Sequence, residues 1–355
     1  MATSFDKLGE FGWISNLKEK IKPRLSTTVK GIGDDAAVVA ADDKSFNLLA
    51  SDMLMEGIHF DIRYSPLKHL GYKSVVVNLS DIYAMNGQPS HILVSLAISS
   101  KYTVEAIEEL YQGMLLACEI YGVDLVGGDT TASPGGLCIS IAAYGSVKKE
   151  EITYRHGAKV GDIVVASGDL GGAFMGLQVL EREKSVFMGA ETQSAQPDLS
   201  GHDYILERQL KPEARKDLIE MFKKMELIPS SMIDISDGLA SEAIHLAEAS
   251  GLGVTLHEEK FPIDPATYNT ARDFNLDPTI VAMNGGEDYE LLFTVPTSEY
   301  DKIKASPHFT PVGYMTADKG VYRFVDRSHS EHELKAQGWD ALLKERREGK
   351  EEKKK

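Results

Sequence analysis

Hydrophobic and polar positions along the chain follow two patterns that predict a mixture of helices and strands. Apolar residues spaced three to four positions apart indicate helices, and short runs rich in β-branched residues indicate strands. In the first half the predicted helices span about residues 9–20, 68–86 and 103–121, and the predicted strands span about 46–51, 91–98, 123–127 and 137–147. The run SVVVNLSDIYAM also suits a strand, but the preceding Pro66 and the length of the run favour a helix.

The second half continues the mixture without a strict order. The predicted strands span about residues 162–167, 231–235, 252–257, 290–295, 309–314 and 321–325, and the predicted helices span about 172–183, 212–226, 237–250 and 297–305. The segment 184–203 is polar and is interpreted as a surface excursion. Because strands and helices do not alternate strictly, the pattern indicates an α+β fold with mixed sheets flanked by helices.

The length of 355 residues fits two domains better than one. The stretch RHGAKVG, from Arg155 to Gly161, has the glycine and charge content of a loop, which places the boundary near residues 148–160. We therefore expect an N-terminal domain over residues 1–150 and a C-terminal domain over residues 151–345. Residues 346–355, rich in lysine, are expected to form a disordered charged tail.

Charge and composition exclude several classes of protein. The net charge of -16 argues against nonspecific nucleic-acid binding, which needs a basic surface. The N-terminus lacks a signal peptide pattern, and no apolar run reaches 18 residues, so we expect a cytoplasmic, soluble protein that does not bind membranes. The two cysteines, Cys118 and Cys138, match no metal-site spacing and are predicted to lie in the core.

Acidic residues, many of them beside glycine, recur at the ends of apolar runs. They occur in GIGDD (31–35), SD (51–52), NLSD (78–81), GGD (127–129), DISDG (234–238) and GGED (285–288). Carboxylates are seldom buried without partners, and Mg²⁺ prefers such hard oxygen ligands together with phosphates and water. Glycine lets backbone amides approach phosphate oxygens. The pattern therefore predicts a metal and phosphate site.

Each motif alone has a structural alternative. Asp34 and Asp35 suit a turn after Gly33, and the aspartates of DISDG suit the cap of a helix that begins near Gly238. His59 also suits a structural histidine with satisfied hydrogen bonds. The GGED carboxylates also suit a turn. The sequence has no Walker A loop and no protein-kinase signature, so any phosphoryl transfer must use another arrangement.

Taken in order, the motifs resemble those of the thiamine-monophosphate kinase family, within the superfamily of aminoimidazole ribonucleotide synthetase. The resemblance covers about residues 8–345. It is carried by SDMLMEGIHF (51–60), NLSDIYAMNGQP (78–89), GGDTT (127–131) and NGGEDYELLFTV (284–295). It implies a two-domain fold, a homodimer in which N-terminal domains pair, and ATP-dependent phosphorylation of thiamine monophosphate by direct in-line transfer aided by several Mg²⁺ ions.

The resemblance also implies roles for individual residues. The implied metal ligands are Asp35, Ser51, Asp52, Asp81, Asp129, Asp234 and Asp237, with Asp34 beside them, and the implied catalytic set is Asp35, Asp52, Asp81, Asp129 and Asp237. The implied ATP contacts are Gly128, Arg155 and Ser236, with Tyr121 against the adenine. The implied contacts to the thiamine end of the substrate are His59, Glu287 and Trp339.

Two rival functions use the same motifs. Another ATP-dependent synthetase of the superfamily would share the metal residues but not the roles of His59, Glu287 and Trp339. A noncatalytic nucleotide-binding protein would bind Mg·ATP without turnover. The chain also departs from the family in its longer polar excursion, in ASPGG following GGDTT, and in its basic tail, which puts the loop contacts in question.

Overall fold

The computed structural model describes residues 9–189 and 197–337. The helices are α1 (Gly9–Lys20), α2 (Leu67–Ala84), α3 (Val104–Tyr121), α4 (Gly172–Gly189), α5 (Asp203–Leu210), α6 (Lys216–Met225), α7 (Leu239–Ser250), α8 (Pro265–Asp273), α9 (Pro278–Asn284) and α10 (Tyr300–Lys304). The strands are β1 (Thr28–Lys30), β2 (Ala37–Ala40), β3 (Ser45–Met55), β4 (Gln88–Ile98), β5 (Asp124–Ala132), β6 (Cys138–Lys148), β7 (Ile163–Ser167), β8 (Ser231–Ile235), β9 (Gly253–His257), β10 (Glu290–Val295), β11 (Phe309–Thr316), β12 (Tyr322–Val325) and β13 (Glu331–Glu333).

The strands form two mixed sheets. The first has the order β1-β2-β3-β6-β4-β5, and only its β4–β5 pair is parallel. The second has the order β13-β12-β9-β11-β7-β10-β8, and only its β9–β12 pair is parallel. Mixed sheets with helices outside them are the α+β arrangement that the sequence pattern predicts.

Helix α2 is the central element of the fold. It packs on β3 and β6 of the first sheet and also contacts β8 of the second sheet. Fourteen of its eighteen residues are buried, including the polar Lys73, Asn78 and Ser80. Its crossing with α3 is close, because a Cβ atom at Gly71 would collide with the Leu110 carbonyl oxygen. A helix enclosed in this way brings polar groups from its whole circumference into the interior.

The two faces of the first sheet differ in exposure. Along β3, Leu48 and Leu54 are buried, whereas Leu49 and Met53 on the opposite face are 45% and 53% exposed. Leu93 of β4 is 48% exposed as well. Side chains alternate between the faces of a strand, so one face packs on α2 and the other presents an apolar surface.

The hydrophobic core continues between the two halves of the chain. One cluster of buried residues joins the first sheet, α2 and α3 with α6 and with Phe293 of β10. The two sheets lie on opposite sides of residues 149–162 in sequence, although the division into domains at residue 150 stays a prediction. The tail at 346–355 lies outside the described residues.

Every predicted helix and strand overlaps an observed one, with shifts of a few residues at the ends. The prediction of a polar excursion from residue 184 is wrong at its start, because α4 continues to Gly189, with an exposed last turn. Helices α5, α8 and α9 and strands β1, β2 and β13 were not predicted. Cys118 is buried as expected, whereas Cys138 is only half-buried. No helix within the described residues is long and apolar enough to cross a membrane.

Candidate active site

Three aspartates from distant parts of the chain meet at the junction of the sheets. Asp35 follows the glycine-rich loop between β1 and β2, Asp81 lies in α2, and Asp234 lies in β8. One carboxylate oxygen of each lies within 4.8 Å of the others. We call these three residues the carboxylate cluster. The sequence motifs GIGDD, NLSD and DISDG therefore contribute to one site.

Neighbouring groups hold the cluster in place. The guanidinium Nη2 of Arg155 donates to Asp35 Oδ1 over 2.7 Å, and the Arg155 backbone N–H donates to Asp34 Oδ1 over 3.0 Å. Ser80, next to Asp81 in α2, donates its hydroxyl to Asp234 Oδ2 over 2.6 Å. These bonds orient the carboxylates but supply only one cation to three acids.

Burial and mutual repulsion make the ionised cluster unfavourable. Burial, followed by the nearby charges of Asp52 and Asp234, raises the pKa of Asp81 well above its usual value. Burial and Asp35 raise the pKa of Asp234 to about 7. Burial raises the pKa of Asp35 as well, although Arg155 opposes the shift. A divalent cation would reverse these shifts, because it favours the charged form of each carboxylate.

The donor set fits a hard divalent cation such as Mg²⁺. Asp35 Oδ2 is buried and accepts no hydrogen bond from the described residues. A buried carboxylate oxygen without a donor is costly, and a metal ion would provide its missing partner. The cluster consists of carboxylate oxygens alone, which suits Mg²⁺ better than a metal that prefers nitrogen or sulfur.

The remaining predicted metal ligands surround the cluster at different depths. Asp52 lies near Asp81, and burial, with a smaller effect from Glu10, raises the pKa of Asp52 to about 6. The Asp237 backbone N–H donates to the buried Glu242 over 3.0 Å. Ser51 points to the exposed face of β3, opposite Asp52. The structure thus brings Asp52 to the cluster and leaves Ser51 on the other side of the sheet.

The GGD motif lies on the exposed strand β5. Asp129 is exposed and pairs in register with Ser95 of β4, and none of its described contacts reaches the carboxylate cluster. Gly128 has φ of 155°, and a Cβ there would collide with the Val94 carbonyl oxygen. Glycine at this position is therefore required by strand packing, whatever its role toward ATP.

Tyr121 lies in the core at the end of α3. It is 3% exposed, and its hydroxyl donates to Glu213 over 2.6 Å and accepts from the Ala214 backbone N–H over 2.8 Å. Ser236, by contrast, lies beside the site, and its carbonyl oxygen accepts from the Glu287 N–H over 2.7 Å. A contact of Tyr121 with adenine stays a prediction, and in this structure the hydroxyl is already paired.

His59 and Glu287 lie together at a second place. Glu287 and Lys73 both act electrostatically on His59, whose pKa is lowered chiefly by burial. His59 Nδ1 accepts from the Met55 N–H over 3.0 Å. A small recess of about 10 Å³ here is lined by His59, Phe60, Tyr64, Ser65, Leu70, Lys73, Gln209 and Leu210. We call this recess, together with the adjacent Glu287 carboxylate, the Glu287 recess. Trp339 lies outside the described residues.

Two bonds fix the Glu287 carboxylate. Lys73 Nζ lies 2.9 Å from Glu287 Oε1, and Gln209 Nε2 donates to Glu287 Oε2 over 2.8 Å. Lys73 also donates to the Gln209 carbonyl oxygen over 3.0 Å. The Glu287 side chain keeps 26% exposure. The carboxylate is thus paired, oriented and still partly exposed.

The backbone around Glu287 is strained. Glu287 and Tyr289 have φ of 65° and 53°, a region that costs non-glycine residues energy. Arg208 of α5 holds the loop from behind, through bonds to the Asp288 carbonyl oxygen and to Glu290 Oε1. Asp288 Oδ2 accepts from the Gly171 N–H over 2.7 Å. These contacts impose the conformation that presents Glu287.

Comparisons with known proteins place the chain in one family. Residues 33–147 match the family model of the AIR synthase related protein, N-terminal domain. A thiamine-monophosphate kinase of Bacillus subtilis (strain 168) is 34% identical over 87% of this chain and 91% of its own length. One of Aquifex aeolicus (strain VF5) is 33% identical over 94% of this chain and 98% of its own. The chain belongs to the thiamine-monophosphate kinase family.

The similarity to a solved structure extends over nearly the whole chain. The structure described as "AaThiL complexed with AMPPCP and TMP" covers 96% of this chain and 99% of its own, with 31% sequence identity and a TM-score of 0.80. The predicted resemblance to the thiamine-monophosphate kinase family and the aminoimidazole ribonucleotide synthetase-like α+β fold are confirmed. The prediction of an enzyme is confirmed too, since the chain is a kinase of this family.

Four polar residues of the site were missed in the sequence. Glu242 is an acidic residue in the first turn of α7, and burial with the charge of Asp237 raises its pKa well above the usual value. Its spacing after DISDG was the available signal. Lys73, Gln209 and Arg208 lie outside the acidic motifs that carry the family resemblance. Only the folded structure connects them with Glu287 and its loop.

Proposed function

We propose that the protein transfers the γ-phosphoryl group of ATP to the phosphate of thiamine monophosphate, giving thiamine diphosphate and ADP. The observation that carries the proposal is the carboxylate cluster of Asp35, Asp81 and Asp234, whose oxygens lie within 4.8 Å. Further support comes from the names of the Bacillus subtilis and Aquifex aeolicus relatives and from the AMPPCP and TMP of the related structure.

In this proposal the aspartates hold Mg²⁺. Asp35, Asp81 and Asp234 are the inner ligands, with Asp52 beside them and Asp237 added as the family resemblance implies. The resemblance also implies Ser51 and Asp129, whose side chains are exposed on the first sheet, so we assign them to metal ions outside the cluster. Bound Mg²⁺ would neutralise the charge of the triphosphate during transfer. Arg155 keeps Asp35 oriented through its 2.7 Å bond and lies where a basic group can also assist the phosphates.

The transfer proceeds directly, without a phosphoenzyme. An oxygen of the substrate phosphate forms the new bond to the γ-phosphorus, and the bond from that phosphorus to the β–γ bridging oxygen breaks, so that ADP leaves with this oxygen. A phosphate oxygen is already ionised at neutral pH, and no side chain has to remove a proton. The contribution of the protein is alignment and charge stabilisation.

The thiamine end of the substrate and ATP bind to different parts of the protein. His59 and Glu287 contact the thiamine end at the opening of the Glu287 recess, with Trp339 as the predicted aromatic partner of the thiazolium. Gly128, Ser236 and Tyr121 remain the predicted ATP contacts. The Glu287 carboxylate is suited to its role because Lys73 and Gln209 already fix its direction.

The protein acts as a homodimer, with the exposed face of the first sheet as the interface. Leu49, Met53 and Leu93 form an apolar surface there, each at least 45% exposed, and such surfaces mark association sites. Met53→Glu should convert a dimer into a monomer in sedimentation equilibrium. Ile120→Glu, on the exposed side of α3, should not. A monomeric wild type would refute this part of the proposal.

The deciding experiment follows both products together. The purified protein is mixed with Mg²⁺, ATP and thiamine monophosphate, and thiamine diphosphate and ADP are separated by chromatography. We expect both in equal amounts, and none when Mg²⁺ is chelated. ADP without thiamine diphosphate would point to another acceptor, as in a synthetase of the superfamily. Binding of Mg·ATP without any turnover would point to a noncatalytic protein.

A further inference from the structure

Gln209 occupies a position that no motif predicts. It is the penultimate residue of α5 and is only 5% exposed, and its side chain lines the Glu287 recess beside His59 and Lys73. Its backbone carbonyl oxygen accepts from Lys73 Nζ, and its amide Nε2 donates to Glu287 Oε2. The residue is therefore fixed at both its main chain and its side chain.

The contact with Glu287 defines which amide atom is which. Nitrogen and oxygen of a glutamine are assigned from their hydrogen bonds. The reverse orientation would place the amide oxygen 2.8 Å from a carboxylate oxygen, two acceptors without a proton between them. Nε2 must therefore face Glu287, and Oε1 points away from the Glu287 carboxylate.

Gln209 Oε1 has no partner. It is buried and accepts no hydrogen bond from the described residues. Buried acceptors are almost always satisfied, because leaving one without a donor is costly. Among the described residues that line the recess, Lys73 is already bonded to Glu287 Oε1 and to the Gln209 main chain. The recess holds about 10 Å³, room for one group of the size of a water molecule or an amino group, and such a donor would supply the bond that Oε1 lacks.

We propose that Gln209 determines substrate specificity: its Oε1 accepts a hydrogen bond from an amino group on the aromatic ring of the substrate, while its Nε2 keeps Glu287 oriented. The inference rests on the proposed function, because thiamine monophosphate carries such an exocyclic amino group on its pyrimidine ring. Glu287 is already charge-balanced by Lys73, so the recess offers two adjacent acceptors with little net charge. That arrangement selects a neutral N–H donor over a second cation.

The test compares two ligands on two proteins. Dissociation constants are measured by calorimetry for thiamine monophosphate and for its analogue in which hydrogen replaces the exocyclic amino group. Wild type is compared with Gln209→Met, which keeps the length of the side chain but removes the amide. The loss of the Nε2 bond to Glu287 should weaken both ligands, and the loss of Oε1 should weaken thiamine monophosphate alone. We therefore expect the substitution to weaken thiamine monophosphate by about 10-fold or more beyond its effect on the analogue.

The control repeats the chemical change elsewhere. Gln112→Met, on the exposed face of α3, should alter neither constant. If Gln209→Met does not fold, judged by thermal denaturation, Gln209→Asn makes the same test, because its shorter side chain withdraws the oxygen. Equal weakening of both ligands would overturn the inference, since Gln209 would then act only through Glu287. No weakening of either would overturn it as well.

Binding does not require turnover, so the two proposals fail separately. A wild type that binds thiamine monophosphate but does not phosphorylate it would refute the proposed function, and the ligand comparison would still decide the role of Gln209. A wild type that does not bind thiamine monophosphate would overturn both.

Discussion

The carboxylate cluster and the Glu287 recess both enclose acidic side chains, but they differ in what balances the charge. In the recess, Glu287 has an internal cation, Lys73 at 2.9 Å, and an amide donor at 2.8 Å. In the cluster, three carboxylates share one guanidinium, and burial raises the pKa of Asp81 and Asp234. The recess is electrostatically complete without a metal, whereas the cluster is not.

The protein therefore depends on a metal in the cluster and not in the recess. A buried acid with its own partner is a fixed binding surface, ready before the ligand arrives. A cluster of acids without enough cations is unstable alone and is stabilised by whatever cation it binds. We therefore expect substitutions in the two places to have opposite effects on stability, although both reduce activity.

The largest effect is expected in the cluster. Asp81→Asn keeps the shape of the side chain but removes a metal-binding charge, and it should lower kcat by about 10²- to 10⁴-fold. Without Mg²⁺ the same change should raise the free energy of unfolding by about 1 to 3 kcal/mol, because it relieves repulsion among buried acids. Steady-state assays and urea denaturation in EDTA measure the two quantities.

The control for this substitution is Asp43→Asn in the exposed turn between β2 and β3. It should change neither quantity appreciably. A near-normal kcat for Asp81→Asn would contradict the metal-binding role of the cluster. A loss of stability in EDTA would contradict the claim that the cluster is destabilised by its own charge.

A smaller effect with the opposite sign for stability is expected in the recess. Lys73→Met leaves Glu287 without its cation, and it should reduce kcat/KM for thiamine monophosphate by about 10- to 100-fold, mostly through KM. The free energy of unfolding should fall by about 1 to 3 kcal/mol, since a partly buried charge loses its partner. Lys73→Arg should recover part of the affinity.

Lys148→Met supplies the comparison for Lys73. Lys148 forms an ion pair with Glu151 at 2.6 Å, but its side chain is 61% exposed. Surface pairs contribute about 1 kcal/mol or less, so this variant should keep both its stability and its activity. If Lys73→Met behaved like Lys148→Met, Glu287 would not depend on an internal cation, and the contrast between the two places would be lost.

The same contrast explains how far the sequence predicts the site. Asp35, Asp81 and Asp234 belong to acidic motifs at the ends of apolar runs, two of which contain glycine, and these motifs led to the cluster. Lys73 and Gln209 lie within helices that read as ordinary packing elements. Their roles depend on the approach of α2 and α5 to the loop of Glu287, which the local sequence does not encode.

For the fold, short strands with apolar or β-branched runs were predicted, whereas short elements without a clear apolar pattern were not. Strands β1 and β2 have only three and four residues, too few to show alternation. Helices α8 and α9 did carry a signal, because each begins with an Asp cap followed by proline at the first helical position, Asp264–Pro265 and Asp277–Pro278. Reading these caps would have located both helices.

The smallest and most specific expectation concerns pH. The pKa of Asp52 is raised to about 6 and that of Asp234 to about 7 in the folded protein, so the folded state binds protons that the unfolded state has released. The stability from these protons is complete below about pH 4 and is lost as the pH rises through the folded values. In EDTA, the free energy of unfolding of the wild type should therefore fall, relative to Asp234→Asn, by about 2 kcal/mol between about pH 5 and pH 8.

Mg²⁺ should remove this pH dependence. A cation that binds the folded state favours ionised carboxylates, so the wild type should gain stability with increasing Mg²⁺ while Asp234→Asn gains less. Urea denaturation of both proteins across the pH range, with EDTA and with Mg²⁺, measures the difference. A difference that stays flat in EDTA would mean that the cluster is not strained by its own charge, and the distinction between the cluster and the recess would then rest on activity alone.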